Sequence, residues 1–147
     1  MKSAFDCSIF GGSKEGVINM TGYYGNIEDL TIKNSYFRQV LFTGQYAQLV
    51  LMSLKSGEDI GKEVHNNVDQ FFRFEAGTGK VIIGNEEYEV KDGDVIIVPA
   101  GSEHNIINTG SSDLKLYTLY SPPNHPDKTI HETREEAMDA EEHEHHG

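Results

Sequence analysis

Tryptophan is missing from this chain, cysteine occurs once, and only 4 of its 147 residues are proline. One cysteine, Cys7, cannot close an intramolecular disulfide, so the fold has to stand on its own core and the sequence fits a reducing compartment. No recognisable base accompanies Cys7, which reads as an incidental residue rather than a nucleophile. Long hydrophobic runs are also lacking. Val95-Ile96-Ile97-Val98 and Gln48-Leu49-Val50-Leu51-Met52 are of strand length, far below the ~20 residues of a membrane-spanning helix. Residues Met1 to Asp6 are followed by no apolar stretch of signal-peptide type, so the expected location is cytoplasmic and no membrane partner is expected. Basic residues are scarce too. Twelve Lys and Arg stand against 24 Asp and Glu, a formal charge of −12. That field repels phosphate backbones and excludes nucleic acid as an expected partner. Some of the charge is local, because Glu132, Glu135, Glu136, Asp139, Glu141, Glu142 and Glu144 crowd the last stretch of chain.

At this length one domain is expected, since halves would bury too little apolar surface to be stable. Residues 1–35 are rich in Gly, Ser and Asn, with Gly11-Gly12-Ser13 and Thr21-Gly22-Tyr23-Tyr24-Gly25 as punctuation. They read as an N-terminal arm with little regular structure. From residue 36 to 121 the pattern changes to short runs rich in Val, Ile, Phe, Tyr and Thr, bounded by Gly, Asn and Asp. The expected strands are Phe37–Phe42, Ala47–Leu54, Glu63–His65, Gln70–Glu75, Gly79–Ile83, Glu86–Val90, Asp94–Val98, His104–Asn108 and Lys115–Ser121. Gly84-Asn85 marks a tight hairpin, because its two-residue turn needs positive φ. Many evenly spaced strands without an intervening helical pattern indicate an all-β sandwich or barrel. Pro122-Pro123 ends the last central strand, since neither can donate a ladder hydrogen bond. Residues 122–147 form a C-terminal extension. A short helix is expected over Thr133–Glu144, with Thr133 and Glu136 as a capping box, little apolar surface to bury and frayed ends. His143, His145 and His146 read as a solvated tail able to pick up metal ions.

Two stretches carry chemistry. In Gly57…Glu63-Val64-His65…Gln70…Gly77, Glu63 and His65 are two apart, so an extended backbone turns both to one face. The same alternation places Phe72 and Phe74 inward with Gln70, and Phe71, Arg73 and Glu75 outward. In Gly93…Pro99-Ala100-Gly101…His104…Asn108, a rigid Pro–Gly turn aims a histidine that opens the next strand. Imidazole suits Fe, Mn, Ni, Cu and Zn, and a carboxylate widens the choice toward harder ions. Asp69 and Glu103 flank these positions, but alternation points them away from the interior. His125 and His131 lie beyond the expected barrel and read as loop residues, with a lid role as the alternative.

Taken together these stretches resemble the cupin family, whose first motif is G-x5-H-x-H, a short gap, then E-x6-G, and whose second is G-x5-P-x-G-x2-H-x3-N. Gly93, Pro99, Gly101, His104 and Asn108 match the second throughout, and Gly57, His65 and Gly77 match the first, with Glu63 and Gln70 standing where the family has histidine and glutamate. The spacer of fifteen residues between Gly77 and Gly93 is similar to that of small single-domain bacterial members. The runs Tyr36–Val40, His65–Phe72, His104–Asn108 and Leu116–Pro123 look like those often labelled "mannose-6-phosphate isomerase-like". The resemblance implies an antiparallel double-stranded β-helix, a jelly-roll barrel. It also implies one divalent transition metal (Fe, Mn, Ni or Zn) held by Glu63, His65, Gln70 and His104. Glu63 and Gln70 leave that set with one negative charge, as in the usual three-histidine, one-glutamate site. Phe72, Phe74 and Ile106 are expected to line a substrate pocket and exclude water. The implied functions are a metal-dependent enzyme on a small organic molecule, of dioxygenase or sugar isomerase or epimerase type, or a non-catalytic binding module. A phosphosugar would need a cation near the site, and Lys62, Lys80 and Arg38 are the candidates once Arg73 faces outward. A homodimer is also implied, with the N-terminal arm covering a neighbour's edge strand.

Overall fold

Alternating apolar residues between turn signals condense into two antiparallel sheets in the computed structural model, which describes residues 21–146, and side chains for residues 21–142. Cys7 and most of the expected arm lie outside the described residues. The strands are β1 (Arg38–Thr43), β2 (Gln48–Leu54), β3 (Asp69–Ala76), β4 (Thr78–Ile83), β5 (Glu86–Lys91), β6 (Val95–Val98), β7 (His104–Asn108), β8 (Leu114–Ser121) and β9 (Ile130–His131). One sheet runs β6-β3-β8-β2-β1-β9 and the other β5-β4-β7. Their inner faces meet in one core that includes Val50, Met52, Phe72, Phe74, Val81, Ile106, Leu114, Leu116 and Tyr120. The all-β antiparallel architecture is the one expected from the strand pattern.

Burial follows the pleat. In β8, Leu114, Leu116, Thr118 and Tyr120 are buried while the residues between them are only partly covered, the period of two expected of a sheet with one face on the core. β6 alternates likewise, so Ile96 and Val98 point inward while Val95 and Ile97 stand exposed on an edge strand. β3 breaks the alternation at its end: a register shift between Phe74 and Ala76 leaves Glu75 buried rather than outward, the effect of an extra residue in one strand of a pair.

Three elements differ from the sequence expectation. Residues 27–33 form a helix, α1 (Ile27–Lys33), where irregular backbone was expected. Asn26 caps it by accepting a hydrogen bond from the Asp29 N–H at 2.9 Å, and Glu28, Asp29 and Lys33 suit the helix dipole. α1 packs on β2, β3 and β8, where Lys115 Nζ donates to the Asn34 carbonyl. Glu63–His65, expected as a strand, makes only an isolated bridge from Glu63 to His104. Gly57 and Gly61, at φ +84° and +91°, interrupt the ladder there. Finally, the chain after Pro122-Pro123 returns to the large sheet as β9, paired with β1 through Arg38↔His131 and Gln39↔Ile130.

The C-terminal helix α2 (Arg134–His146) begins where expected, with Thr133 Oγ1 accepting from the Glu136 N–H at 3.1 Å. It does not lie free, as its composition suggested. Ala137 is fully buried and Met138 packs on the core, Arg134 donates to the Asp59 carbonyl and carboxylate at 2.7 and 2.8 Å, and Glu141 pairs with Arg38 at 3.5 Å. These four positions share one helical face. A small apolar residue flanked by a methionine and two charges docks this helix, which needs no broad hydrophobic stripe.

Gly77 sits between β3 and β4 at φ +92°, and a Cβ there would lie 2.5 Å from the Asp113 carbonyl oxygen. Gly93 has a similar φ of +94° but open space around it. Gly77→Ala is therefore expected to destabilise the fold by more than about 2 kcal/mol, and Gly93→Ala by about 1 kcal/mol. Urea denaturation of both variants checks the ranking, and equal losses would contradict it.

Candidate metal centre

The second motif builds one wall of the site. Gly101 takes φ +90°, closing the turn through which Ser102 N–H donates to the Pro99 carbonyl at 3.2 Å. Asp69 Oδ1 accepts from the Ala100 N–H at 2.9 Å, so this carboxylate braces the turn and does not face the interior. Glu103 is exposed, also as alternation required. Asn108 is structural as well: its amide donates to the Leu54 and Ser112 carbonyls and accepts from the Gly110 N–H, each at 2.9 Å.

His104 opens β7 with its side chain inward, and its Nδ1 lies 3.1 Å from the Ser102 carbonyl. A carbonyl only accepts, so Nδ1 carries the proton and Nε2 presents its lone pair to the interior. Burial lowers the His104 pKa; the Ser102 carbonyl and Glu63 oppose that effect, and His65 adds to it. The neutral imidazole, the form that ligates a cation, is therefore favoured. Nε2 is buried without a hydrogen-bond partner.

The first motif segment is held against the second by two hydrogen bonds of 2.9 Å exchanged between the backbones of Glu63 and His104, and by a third from Gly101 N–H to the His65 carbonyl. Extended backbone at Glu63 is enough to turn Glu63 and His65 to the same side. Glu63 Oε1 lies 3.2 Å from His65 Nε2 and 3.9 Å from His104 Nε2. One donor atom from each of Glu63, His65 and His104 lies within 4.8 Å of the others. Exposure is graded: the side chains of His65 and Glu63 are 16% and 15% exposed, that of His104 1%.

Gln70, the fourth expected ligand, is buried on the adjoining inner face of β3. Its Nε2 donates to Thr118 Oγ1 at 3.0 Å, while its Oε1 is buried with no partner. Among the described residues, four buried side-chain polar atoms lack partners, and two of them are Gln70 Oε1 and His104 Nε2. Leaving such groups unmet costs about 1–3 kcal/mol each. Two imidazole nitrogens with carboxylate and amide oxygens suit a divalent transition ion. Of the expected pocket residues, Phe72 stands beside His104 with ring centroids 6.1 Å apart. Phe72, Phe74 and Ile106 all have 0% exposure.

Several residues around this cluster escaped the sequence reading. Tyr120 stacks edge-on to His65 at 5.9 Å, and its hydroxyl lies 3.1 Å from His125 Nε2. Burial pushes the Tyr120 pKa well above its ordinary value, so the phenol keeps its proton. Gln48 fixes the His125 loop, donating to the His125 carbonyl at 2.8 Å and accepting from the Asn124 and His125 N–H groups at 3.0 Å. His131 and Arg38 are buried in turn, with His131 Nδ1 3.2 Å from Arg38 Nη1. His131, in β9, thus belongs to the barrel, contrary to the reading as a loop residue, whereas His125 lies in a loop as expected, with its ring against Tyr120. Alternation along Leu116, Thr118 and Tyr120 was the available signal for Tyr120; His125 and His131 carried none.

An inner-facing histidine–carboxylate cluster at one end of an antiparallel jelly-roll barrel defines the class of small β-barrel proteins built to hold a metal ion or small ligand. Residues 50–120 match the Cupin domain family. A crystal structure of BH2720 from Bacillus halodurans superimposes with a TM-score of 0.80 at 45% identity, covering 86% of this chain and 98% of that one. The chain belongs to the cupin family. It is also 51% identical to the uncharacterized protein YrkC of Bacillus subtilis over 80% of this chain and 66% of that protein. An uncharacterized protein of Acanthamoeba polyphaga mimivirus is 45% identical over 71% of this chain and 68% of its own. The chain thus spans about two thirds of the length of these two relatives. Among the described residues no helix is long and apolar enough to cross a membrane.

The pKa of His125 is lowered to about 3, chiefly by burial, with Arg38, His131 and His65 adding to the effect. Between its ordinary 6.5 and about 3 the unfolded chain takes up a proton that the folded chain refuses. The stability this represents is full above pH 6.5 and is lost as pH falls, by up to about 1.4 kcal/mol per pH unit. Replacing His125 with Gln is expected to flatten the stability profile between pH 6.5 and 4. Urea midpoints at pH 7, 6, 5 and 4 test this, and parallel profiles for the two proteins would refute it.

Proposed function

We propose that Glu63, His65 and His104, joined by the Gln70 amide oxygen, hold one divalent transition-metal ion, and that the protein is a metal-dependent enzyme acting on a small organic molecule. The observation that carries the reading is the convergence of donor atoms from Glu63, His65 and His104 within 4.8 Å, with His104 Nε2 buried and unpartnered, as is Gln70 Oε1 on β3. Bound there, the ion would supply Lewis acidity toward a substrate oxygen, the chemistry common to the dioxygenase and isomerase or epimerase classes. His65 and Glu63 are the exposed members, so substrate reaches the cluster from their side. Phe72, Phe74 and Ile106 seal the opposite side against water. Tyr120 and His125 share a hydrogen bond next to His65 and put neutral polar groups beside the substrate. The absence of accessible surface on the three apolar residues favours a compact substrate. Metal analysis of purified protein with His143, His145 and His146 replaced by Ala should return about one ion per chain. The same protein carrying His65→Ala and His104→Ala should return less than about a tenth of that. Undiminished metal in the double variant would overturn the proposal.

The chain is also proposed to form a homodimer. Val95 and Ile97 are exposed on the edge strand β6, in register with Arg73 and Phe71 of β3, next to the Phe71–Tyr117 ring pair. Sedimentation equilibrium should give a dimer for the natural protein and a monomer for Ile97→Lys; unchanged association in the variant would exclude this face.

A further inference from the structure

Arg38 lies on the inner face of β1, in register with Met52 of β2 and, through it, Leu116 of β8 and Phe74 of β3. An arginine in an otherwise apolar row is expensive, and this one is 1% exposed. Of its five N–H donors, the one on Nε is buried with no partner. Nη1 faces His131 Nδ1 at 3.2 Å and Glu141 Oε2 at 3.5 Å. Glu141 is 26% exposed on the docked helix, so its charge is shared with solvent. The guanidinium faces the same barrel interior as the histidine–glutamate cluster. On the cluster's side Tyr120 stacks on His65 with ring centroids 5.9 Å apart and is hydrogen-bonded to His125 at 3.1 Å; on the other Arg38 meets His131 at 3.2 Å.

We propose that Arg38 recognises the carboxylate of the molecule taken into the barrel, so that the substrate class is a small monocarboxylic acid with a second oxygen function. This rests on the metal-centre reading above. With a divalent ion in place, the charges facing the chamber are the ion and Arg38 against Glu63 and Glu141. One positive charge is left over in a low-dielectric interior, and a monoanion cancels it. The unmet Nε–H offers that anion a charge-assisted hydrogen bond. A neutral sugar would leave both the excess charge and the donor uncompensated.

The test is isothermal titration of the metal-loaded full chain with glycolate and with its uncharged counterpart glycolamide, alongside metal content and melting temperature. Glycolate is expected to bind and glycolamide to bind at least about tenfold more weakly. Arg38→Lys should weaken glycolate by about tenfold, because a point charge replaces the planar fork. Arg38→Met should abolish binding while keeping about one metal ion per chain. Glu141→Gln, which removes a competing anion, should bind glycolate as tightly or more tightly. Equal affinity for the two probes in the natural protein, or undiminished glycolate affinity in a folded Arg38→Met or Arg38→Lys variant, overturns the proposal. If Arg38 served only to anchor the helix, Arg38→Met and Glu141→Gln would lower the melting temperature alike and leave glycolate binding untouched. Arg38-dependent glycolate binding by protein that takes up no metal would sink the metal-centre reading and leave the anion site standing.

Discussion

The antiparallel bridge between Glu63 and His104 is the contact on which the site depends. Two backbone hydrogen bonds of 2.9 Å clamp segments far apart in the chain, and each is worth only about 1 kcal/mol to stability. Their value is geometric. They set the carboxylate of Glu63 across from the imidazole of His104, and the bond from Gly101 N–H to the His65 carbonyl adds the second imidazole. The brace from Asp69 to Ala100 holds the turn that makes this bond. A regular strand through residues 57–65 would have continued the ladder. Positive-φ glycines replace it with separate pinning points, and that irregular edge leaves His65 and Glu63 partly open to solvent.

The barrel interior is divided. One part is ordinary core, with Phe72, Phe74, Ile106 and Leu116 fully buried. The other is a polar band of Gln48, Gln70, Thr118, Tyr120 and His104, equally buried and largely hydrogen-bonded internally. Buried polar networks raise stability only when every member is met. Of the four unmet atoms among the described residues, Gln70 Oε1, His104 Nε2 and Arg38 Nε belong to inward-facing side chains, and the fourth is Arg73 Nε on the opposite face of β3. A barrel optimised for stability alone would have filled the inward positions with apolar side chains.

Both helices are held by a few specific contacts on the sheets. α1 rests on the outer face of the large sheet through Thr31, which is fully buried, and through the Asn34–Lys115 hydrogen bond. α2 is tied to the barrel by Ala137, Met138, Arg134 and Glu141. Neither has the broad apolar stripe by which amphipathic helices are recognised in sequence. α1 did leave a local trace in Asn26, Glu28, Asp29 and Lys33, which a glycine-rich setting masked. The docking of α2 left none, because its partners Asp59 and Arg38 lie some seventy to a hundred residues away.

Local rules made the strands, the hairpin at Gly84-Asn85, the Pro99–Gly101 turn and the inward set Gln70, Phe72 and Phe74 legible from residue order, since alternation and turn chemistry act over a few neighbouring residues. Motif spacing likewise singled out Glu63, His65 and His104, whose donor atoms the fold brings together. Arg38, Tyr120, His125 and His131 join the same chamber only through pairings such as Arg38↔His131 and Gln48 with the His125 loop. Those contacts depend on how the sheets close and where the chain returns after its prolines. No short-range periodicity encodes a meeting of side chains more than seventy residues apart, so the buried arginine and the histidines around it emerge only once the barrel is built.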